Sequence, residues 1–534
     1  MSVDARILEE VLVRLKFLAL ATMPLLCLQP AAAMAEQLRW ASATDIATLD
    51  PYAHGESFTS GVLAHVFDPL VRRGRTLEIE PALATEWELL DPVTWRFKLR
   101  EGVKFHNGNP FTADDVIASI TRIGDPGSRQ RSNVVQIESV TKVDDLTIDI
   151  VTKGPSPLLL NDLAGVMIMD KEWMEANDAL LPGNLGEGIT TAASNEAVGT
   201  GPFKVVSYRP DAETNFVVNE DWWDTPQHNI TAIQFKPVKS DATRVAALLS
   251  GEVDLITPAP LQDLARLESA PGIIVDEEPS LRVLMLALNR RPESQAFPGT
   301  PNPLNELKVR QALWHAIDMD SIQKRIMRGK SRNTSTFVAP PVPGYSEAND
   351  VPYGYDPELA KKLLAEAGFG DGLKLRLNCT NDRYINDEQI CVAISSMWTR
   401  IGIETDLQVE SRATFFPRQD RGELDVSLTG WATLPSMDGF SMLRSMLADT
   451  KDGFGGGNDI AYVHPRIEEL TRLAAVELDE TKRRGYISEG LAIAGADVAY
   501  IPLHQQPVAA AMSDRFDIPQ FADEYIRLWY ATAK

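Results

Sequence analysis

The sequence predicts an α/β fold made of more than one structural unit, and three observations lead to this prediction. The chain has 534 residues, of which 44% are hydrophobic and 24% charged, an ordinary globular composition at a length that exceeds one domain. Strand patterns come first in the N-terminal region, whereas helical and strand-like segments alternate beyond about residue 197. Neither a low-complexity tract nor a long flexible linker separates the two regions, so we expect lobes that share crossings of the chain.

The N-terminal region is predicted to be an α+β module. Residues 95–100 alternate apolar and basic side chains with period two, which is typical of a half-buried strand. The Asn-Gly pair at 107–108 is a hairpin turn signal. Thr112 and Asp115 have the spacing of a capping box, which predicts that a helix begins there.

The second region is predicted to contain helices and strands in alternation. Apolar spacing predicts a helix over 241–250, and Gly251 ends it before a short buried strand at 253–256. The alternation continues in the segments 281–289, 309–328, 357–367, 373–378, 388–401 and 425–431. This order predicts layers built on a parallel sheet.

Charge and composition exclude several kinds of partner. Asp and Glu number 75 against 52 Lys and Arg, so the formal net charge is −23. A surface this acidic repels phosphate backbones, and nucleic acid is therefore not an expected partner. Seven His and three Cys are too few and too scattered for a zinc cluster, and we expect no resident metal or cofactor. Cys379 and Cys391 either pair in an oxidising compartment or remain two buried thiols.

Residues 1–35 are predicted to be a secretory signal peptide. Three basic residues, Arg6, Arg14 and Lys16, precede an apolar run over 17–28, and small residues continue to Ala35. The run is shorter than the roughly 18 to 20 residues of a spanning helix. Cleavage after Ala35 predicts a periplasmic protein. Three acidic residues among the first ten are unusual in a leader and leave the true translation start open.

Five blocks of the sequence are typical of one protein family when taken in order. They are ATEWE at 84–88 running into WRFKLREGVKFH at 95–106, GTGPF at 199–203 with DWW at 221–223, DATR at 241–244 through GEVD at 251–254, VRQAL at 309–313 through AID at 316–318, and YDP at 355–357 through KLLAEAG at 362–368. With these blocks the chain resembles the family 5 extracellular solute-binding proteins, the peptide and nickel class of receptors for ABC importers.

The resemblance implies a two-lobed periplasmic-binding-protein fold with a hinge, in which a third α+β subdomain is inserted in the N-terminal lobe. The implied boundaries are 36–68, 197–285 and 500–534 for lobe I, 69–196 for the inserted subdomain, and 286–499 for lobe II. It also implies a monomer without catalytic residues, which delivers a small-molecule or peptide ligand to an inner-membrane ABC permease and its ATPase.

The resemblance places one half of the ligand site after a strand ending near residue 431. In dipeptide receptors of this family, a Gly-Trp pair is followed after two residues by an Asp that neutralises the peptide ammonium. Leu434 occupies that place here, so the counter-ion is missing. We expect Trp431 to form an aromatic wall and the backbone of Gly430 and Ala432 to contact the ligand. Asp438 is a candidate for the missing acid, with a surface role as the alternative.

Arg383 is the predicted anion anchor. It lies in the polar loop 381–387, which resembles the loop that supplies an Arg to the ligand carboxylate in dipeptide receptors, and Tyr384 is placed in the site beside it. A guanidinium offers a planar fork of donors that matches a carboxylate. The alternative is a salt bridge with Asp382 or Asp387 that merely fixes the loop.

The segment 49–57 is predicted to face this site from the opposite lobe. Tyr52 and His54 are candidates to stack on the ligand or to donate to it, and the backbone from His54 through Gly55 to Glu56 is expected to contact it. Glu56 is our hypothesis for the replacement of the missing ammonium partner, motivated by Leu434.

The predicted function is a periplasmic receptor that captures a short peptide or peptide-like ligand. Within the same fold, the alternatives are an opine, an oligosaccharide, haem or a metal chelate, because an aromatic wall favours sugar whereas an anion anchor favours carboxylates. From another class, the alternatives are a secreted hydrolase or a chaperone. The hydrolase alternative needs an activated nucleophile, and the sequence shows no nucleophile elbow, zinc-protease motif or nucleotide-binding loop.

Overall fold

The computed structural model describes residues 36–351, 353–434, 436–450 and 454–534. The predicted signal peptide over 1–35 lies outside the described residues. Residues Gln37–Lys534 form one compact unit. Among the described helices, none is both long enough and apolar enough to cross a membrane.

Strands form the framework of the fold. They are β1 Glu36–Ser42, β2 Val71–Arg73, β3 Ile79–Pro81, β4 Ala84–Asp91, β5 Thr94–Leu99, β6 Ile137–Asp144, β7 Thr147–Thr152, β8 Phe203–Arg209, β9 Glu213–Val218, β10 Ile230–Pro237, β11 Leu255–Thr257, β12 Ile273–Leu288, β13 Arg332–Asn333, β14 Leu373–Thr380, β15 Ile403–Glu410, β16 Val426–Trp431, β17 Tyr500–Ser513, β18 Phe516–Asp517 and β19 Thr532–Ala533.

Helices cover the faces of these strands. They are α1 Ser57–Leu63, α2 Ala113–Ile123, α3 Leu159–Leu163, α4 Lys171–Ala176, α5 Asp241–Leu249, α6 Leu264–Glu268, α7 Leu307–His315, α8 Met319–Ser321, α9 Pro357–Glu366, α10 Asp387–Thr399, α11 Arg412–Asp420, α12 Phe440–Met442, α13 Pro465–Val476 and α14 Glu480–Ala496.

One large sheet runs through the molecule in the order β15-β14-β16-β12-β17-β11-β1-β10-β9-β8, with β13 paired to β17. Its two central strands are the longest, and they pair antiparallel from Ile273 opposite Ser513 to Ala287 opposite Tyr500. A separate four-stranded antiparallel sheet, β4-β5-β7-β6, lies within residues 84–152.

The central pair β12 and β17 crosses between two lobes. The first half of β12 pairs with the second half of β17, next to β11 and β1. The second half of β12 pairs with the first half of β17, next to β16 and β14. The regular pairing is interrupted between Pro279 and Val283, at the point of the crossing. The fold is therefore two-lobed and mixed α/β, with the hinge in the middle of its longest strands.

Local predictions in the N-terminal module are confirmed. The period-two segment is β5, which buries Phe97 fully. Thr112 and Asp115 form the capping box at the start of α2. Gly108, at φ 95°, makes the tight turn that the Asn-Gly pair indicates, since this backbone region favours glycine.

The predicted parallel sheet is wrong over much of its extent. Only β14 with β15, β14 with β16, and β1 with β11 pair in parallel within the described sheet, while the central pair is antiparallel. The predicted helix 309–328 also differs, because α7 ends at His315 and a new turn begins at Met319. A continuous apolar run is compatible with either strand orientation, so the sequence pattern did not decide between them.

A disulfide joins Cys379 at the end of β14 to Cys391 in α10, with a Cα–Cα distance of 6.6 Å. Both residues are fully buried. The bond closes the segment 380–390, which contains the loop 381–386 and its Arg383. Of the two alternatives that the sequence left open, a disulfide or two buried thiols, the structure therefore has the disulfide.

We expect the double variant Cys379→Ala, Cys391→Ala to lower the free energy of unfolding by about 3 kcal/mol, because a closed loop of this length restricts the unfolded chain by that amount. Urea denaturation of the oxidised proteins measures the difference. Thiol reductant should lower the stability of the parent protein and leave the variant unchanged. Equal stability of the parent protein with and without reductant would contradict the prediction.

Candidate functional site

A cavity of about 720 Å³ lies between the two lobes. Its walls include the segment after β1, the start of α5, the segment after β11, the loop between β14 and α10, the start of α11, and β17 with the C-terminal segment that follows it. The residues used below are Glu56, Arg383, Tyr384, Asp387, Glu388, Arg412, Gln506 and Glu524. We call this space the main cavity.

The loop 381–386 is held by one carboxylate at the start of α10. The Asp387 carboxylate accepts hydrogen bonds from the Thr380 hydroxyl at 2.6 Å and from the backbone N–H groups of Arg383 and Tyr384 at 3.2 and 3.1 Å. From the hinge strand, Gln506 Oε1 accepts the backbone N–H of Ile385 at 3.2 Å. These contacts fix the backbone of Arg383 without using its side chain.

The guanidinium of Arg383 lines the main cavity and lies over the ring of Tyr384, 5.0 Å from its centroid. It donates no side-chain hydrogen bond and forms no ion pair with any residue in the described part of the chain. The predicted alternative of a salt bridge with Asp382 or Asp387 is therefore wrong, because Asp387 binds backbone groups and Asp382 accepts from the backbone N–H of Arg412.

A second arginine explains why Arg383 is left unpaired. Arg282, on β12 at the hinge, binds both carboxylate oxygens of Glu524 at 2.9 to 3.3 Å, and the Ser280 hydroxyl donates to the same group at 2.6 Å. Burial opposes ionisation of Glu524, but Arg282, the Ser280 hydroxyl and the charge of Arg383 together outweigh it and hold the pKa of that carboxyl below its ordinary value. Burial, and then the charge of Arg282, lowers the pKa of the Arg383 guanidinium.

Gly430 and Tyr384 fit together behind this guanidinium. The backbone N–H of Gly430 donates to the Tyr384 hydroxyl at 3.0 Å. A Cβ at position 430 would lie 2.9 Å from the Tyr384 ring and 3.2 Å from the Arg282 side chain. Glycine is needed here for close approach, and Gly430 supports the cavity wall rather than lining it.

Glu56 faces the main cavity from the first lobe, as expected, but it already has a cationic partner. One carboxylate oxygen accepts from Arg412 Nη1 at 2.6 Å, and the other accepts from the Thr59 hydroxyl at 3.0 Å. Arg412 begins α11 in the second lobe, so this ion pair spans the cleft. The hypothesis that Glu56 waits for a ligand ammonium is therefore not supported, and its carboxylate joins the lobes instead.

A second cavity of about 170 Å³ adjoins the first, and the two share Ser57 and Tyr525. Gly55, a predicted site residue, lines this space together with Leu434. Its other walls include Phe67, Asp68, Arg72, Arg73, Met167, Trp222, Met437, Asp523, Arg527 and Trp529. We call it the second cavity.

Three predicted residues near the end of β16 do not line either cavity. The indole N–H of Trp431 donates to the Ser441 hydroxyl at 3.2 Å, and its ring packs on the core of the second lobe. Ala432 is buried. Asp438 is 3% exposed and binds Arg483 through both oxygens at 2.8 and 2.9 Å. The assignment of Asp438 as a ligand acid is wrong, because its charge is neutralised inside the lobe.

Tyr52 and His54 also lie away from the lining of both cavities. The Tyr52 hydroxyl donates to the Met167 carbonyl, and the ring packs under the buried ion pair of Arg122 with Asp50. His54 Nδ1 accepts the backbone N–H of Glu56 at 3.1 Å. Burial lowers the pKa of His54 to about 4. Both side chains position the segment before α1 rather than contact a ligand.

The residues that sequence reasoning missed are Arg282, Arg412 and Glu524. Each is separated by more than 240 residues from at least one of its partners at the site, so no local motif connects them. Glu524 is distinguished by its backbone conformation. Its φ is 68°, and a non-glycine residue adopts such a value at a cost of about 1 to 3 kcal/mol. Within the described residues, no group of three or more His, Cys, Asp or Glu is placed to hold a metal ion.

The chain is similar to known proteins over most of its length. The family model of the bacterial extracellular solute-binding proteins, family 5 Middle, matches residues 78–454. The heme-binding protein A of Haemophilus influenzae is 29% identical over 84% of this chain and 83% of its own, and the dipeptide-binding protein of Escherichia coli is 28% identical over 76% and 77%.

A solved structure shows the same likeness. The ABC transporter-associated periplasmic binding protein DppA from Helicobacter pylori, in complex with the peptide STSA, superposes with a TM-score of 0.78. It is 25% identical and covers 92% of this chain and 96% of its own.

We expect Asp438→Asn to lower the free energy of unfolding by about 3 to 5 kcal/mol, since the substitution leaves the buried charge of Arg483 without its partner. Chemical denaturation measures the loss. Glu489→Gln, which removes an exposed partner of Arg466 from the neighbouring surface of α14, is the matched control and should change stability little. A loss of the same small size in both variants would show that Asp438 is not part of a buried pair.

We expect the His54 imidazole to stay neutral well below pH 6.5, because burial disfavours its charged form. A histidine in the unfolded chain titrates near 6.5, so unfolding takes up a proton and the free energy of unfolding falls as the pH drops from about 6.5 towards 4. NMR titration measures the pKa, with His54→Gln used to assign the signal. The same variant should lose less stability between pH 7 and 5 than the parent protein. A His54 pKa near 6.5 would contradict the burial argument.

Proposed function

The chain belongs to the bacterial extracellular solute-binding proteins of family 5, and we propose that it is a periplasmic receptor for a short peptide or peptide-like ligand that carries a carboxylate. The ligand binds between the two lobes, and the closed form delivers it to an inner-membrane ABC permease with its ATPase. The predicted signal peptide over 1–35 and the periplasmic relatives support export. No catalytic residue is assigned.

The observation that carries this proposal is the unpaired guanidinium of Arg383 in the main cavity. Its backbone is fixed by Asp387, its face rests on Tyr384, and the carboxylate of Glu524 is engaged by Arg282. No described residue pairs with this fork of charged donors, and a carboxylate of the ligand matches it. The main cavity, at about 720 Å³, has the size of a small-molecule or short-peptide site.

Closure of the lobes strengthens this contact. The hinge strands β12 and β17 allow the lobes to move as units, and the Glu56–Arg412 ion pair joins them on the cavity wall. Closing the cleft removes water from around Arg383, which strengthens its attraction to a carboxylate. The closed lobes also form a surface that a permease distinguishes from the open form.

We expect Arg383→Ala to reduce the affinity for a carboxylate ligand by roughly ten- to hundredfold, because a hydrogen bond to a charged group contributes about 1.5 to 3 kcal/mol. A thermal-shift screen of the unliganded mature protein against peptides, opines, sugars and metal chelates identifies a ligand, and isothermal titration then compares the variants.

Arg383→Lys should recover only part of the affinity, since an ammonium lacks the planar fork. Arg421→Ala is the control, because Arg421 is an exposed arginine of the same lobe that pairs with Glu423. Binding of neutral sugars alone, or unchanged affinity in Arg383→Ala, would overturn the proposed carboxylate anchor.

A further inference from the structure

The second cavity is bounded by both lobes, so it is completed when they close. Leu434 and Met437 come from the segment after β16, whereas Phe67, Met167 and Trp529 belong to the first lobe. Its volume of about 170 Å³ is close to that of an engineered apolar cavity of roughly 150 Å³ that binds benzene. A group of the size of a phenyl ring or a branched aliphatic chain therefore fits.

The charges around the second cavity are engaged by the protein. Asp523 binds Arg527 through both oxygens at 2.5 and 2.9 Å. Arg72 pairs with Glu80 and Asp224, both at 2.7 Å.

The arginines Arg72, Arg73 and Arg527 outnumber the acids Asp68 and Asp523 on its walls. Asp68 is 4% exposed and accepts from Thr200 and Trp223 at 2.9 and 2.7 Å. The field in this space does not favour a cation.

The carboxylates that line the main cavity are also engaged by the protein, apart from Glu388. Glu56, Glu524, Asp241 and Asp211 pair with Arg412, Arg282, Arg244 and Lys239, whereas Asp45, Asp382 and Asp387 accept backbone N–H groups. Glu388 is the carboxylate among the described lining residues that has no hydrogen bond or ion pair, and it is exposed to solvent. Among the described residues that line this cavity, Arg383 is the half-buried cation whose side chain has no hydrogen bond or ion pair.

From this arrangement we infer that the receptor prefers carboxylates that have no free ammonium, and that the second cavity, with Leu434 in its wall, holds a neutral apolar group of the same ligand. N-acylated amino acids and N-acylated dipeptides have this chemistry. The inference rests on the proposed function, because it assumes that a ligand carboxylate binds Arg383. A ligand ammonium enclosed here would be desolvated without a partner, whereas an apolar group gains from burial.

The test uses two pairs of probes that differ only by the amino group. N-(3-phenylpropanoyl)glycine is phenylalanyl-glycine without its ammonium, and N-(3-phenylpropanoyl)glycylglycine is the same for phenylalanyl-glycyl-glycine. Titration calorimetry of the full mature protein should show tighter binding of the acylated probe by roughly tenfold or more in at least one pair, because the uncompensated charge is removed. Arg383→Ala should weaken that probe.

Two variants of one residue test the second cavity itself. Leu434→Asp places a carboxylate in its wall and should reverse the preference towards the free amine. Leu434→Phe fills the space without changing charge and should weaken the phenylpropanoyl probes while leaving N-acetylglycylglycine unaffected. Leu181→Asp, at an exposed leucine, is the control for an added acid, and it should keep the preference of the parent protein.

The results separate this inference from the proposed function. If the free amines bind as tightly as the acylated probes or more tightly, and Arg383→Ala weakens them, the receptor function stands and this inference is overturned. In that case Asp68→Asn would show whether Asp68 is the ammonium partner. If no carboxylate ligand depends on Arg383, the proposed function fails, and this inference fails with it.

Discussion

The ion pair between Arg282 and Glu524 is the interaction on which the rest of the site depends. Arg282 lies where the two longest strands cross between the lobes, and Glu524 belongs to the C-terminal segment that returns to this crossing. Arg282 binds both oxygens of Glu524, and the Arg383 side chain makes no hydrogen bond to that carboxylate. The same contact therefore stabilises the hinge and leaves one guanidinium free in the cavity beside it.

The contacts that join the lobes differ in strength according to their burial. Arg444 and Asp162 form a buried pair across the cleft at 3.3 Å, and the side chains of Arg73 and Asn161 both donate to the Ser436 carbonyl. The Glu56–Arg412 pair is more exposed, and such pairs contribute about 0 to 1 kcal/mol. A ligand that binds both lobes adds to these contacts and can shift the balance between open and closed states.

Arg383 was placed in the site because its loop, which lies between a strand and a helix, resembles the loop that supplies an Arg to the ligand in dipeptide receptors, and its ligand role stays a prediction. The sequence predicted that Glu56 faces the cavity, but not that Arg412, 356 residues away in the chain, pairs with it. Asp438 was misassigned for the same reason, because Arg483 neutralises it from a different helix. Hydrophobic periodicity and turn residues predict local helices and strands. The topology of β12 and β17 determines which charged side chains meet in the folded chain, and those local patterns do not show it. The parallel pairing was overestimated because apolar strands look alike in either orientation.

An unpaired guanidinium has a cost when the cleft closes without a ligand. Closure removes water from Arg383, and desolvating a charge that has no partner destabilises the closed form. Tyr384 beneath the guanidinium offsets part of this, as a cation–π contact contributes about 0.5 to 2 kcal/mol. The closed form is thus less stable without a ligand carboxylate than with one. A ligand that binds the closed form more tightly than the open form shifts the equilibrium towards closure. The charge of Arg383 therefore both selects a carboxylate ligand and links binding of that ligand to closure of the lobes.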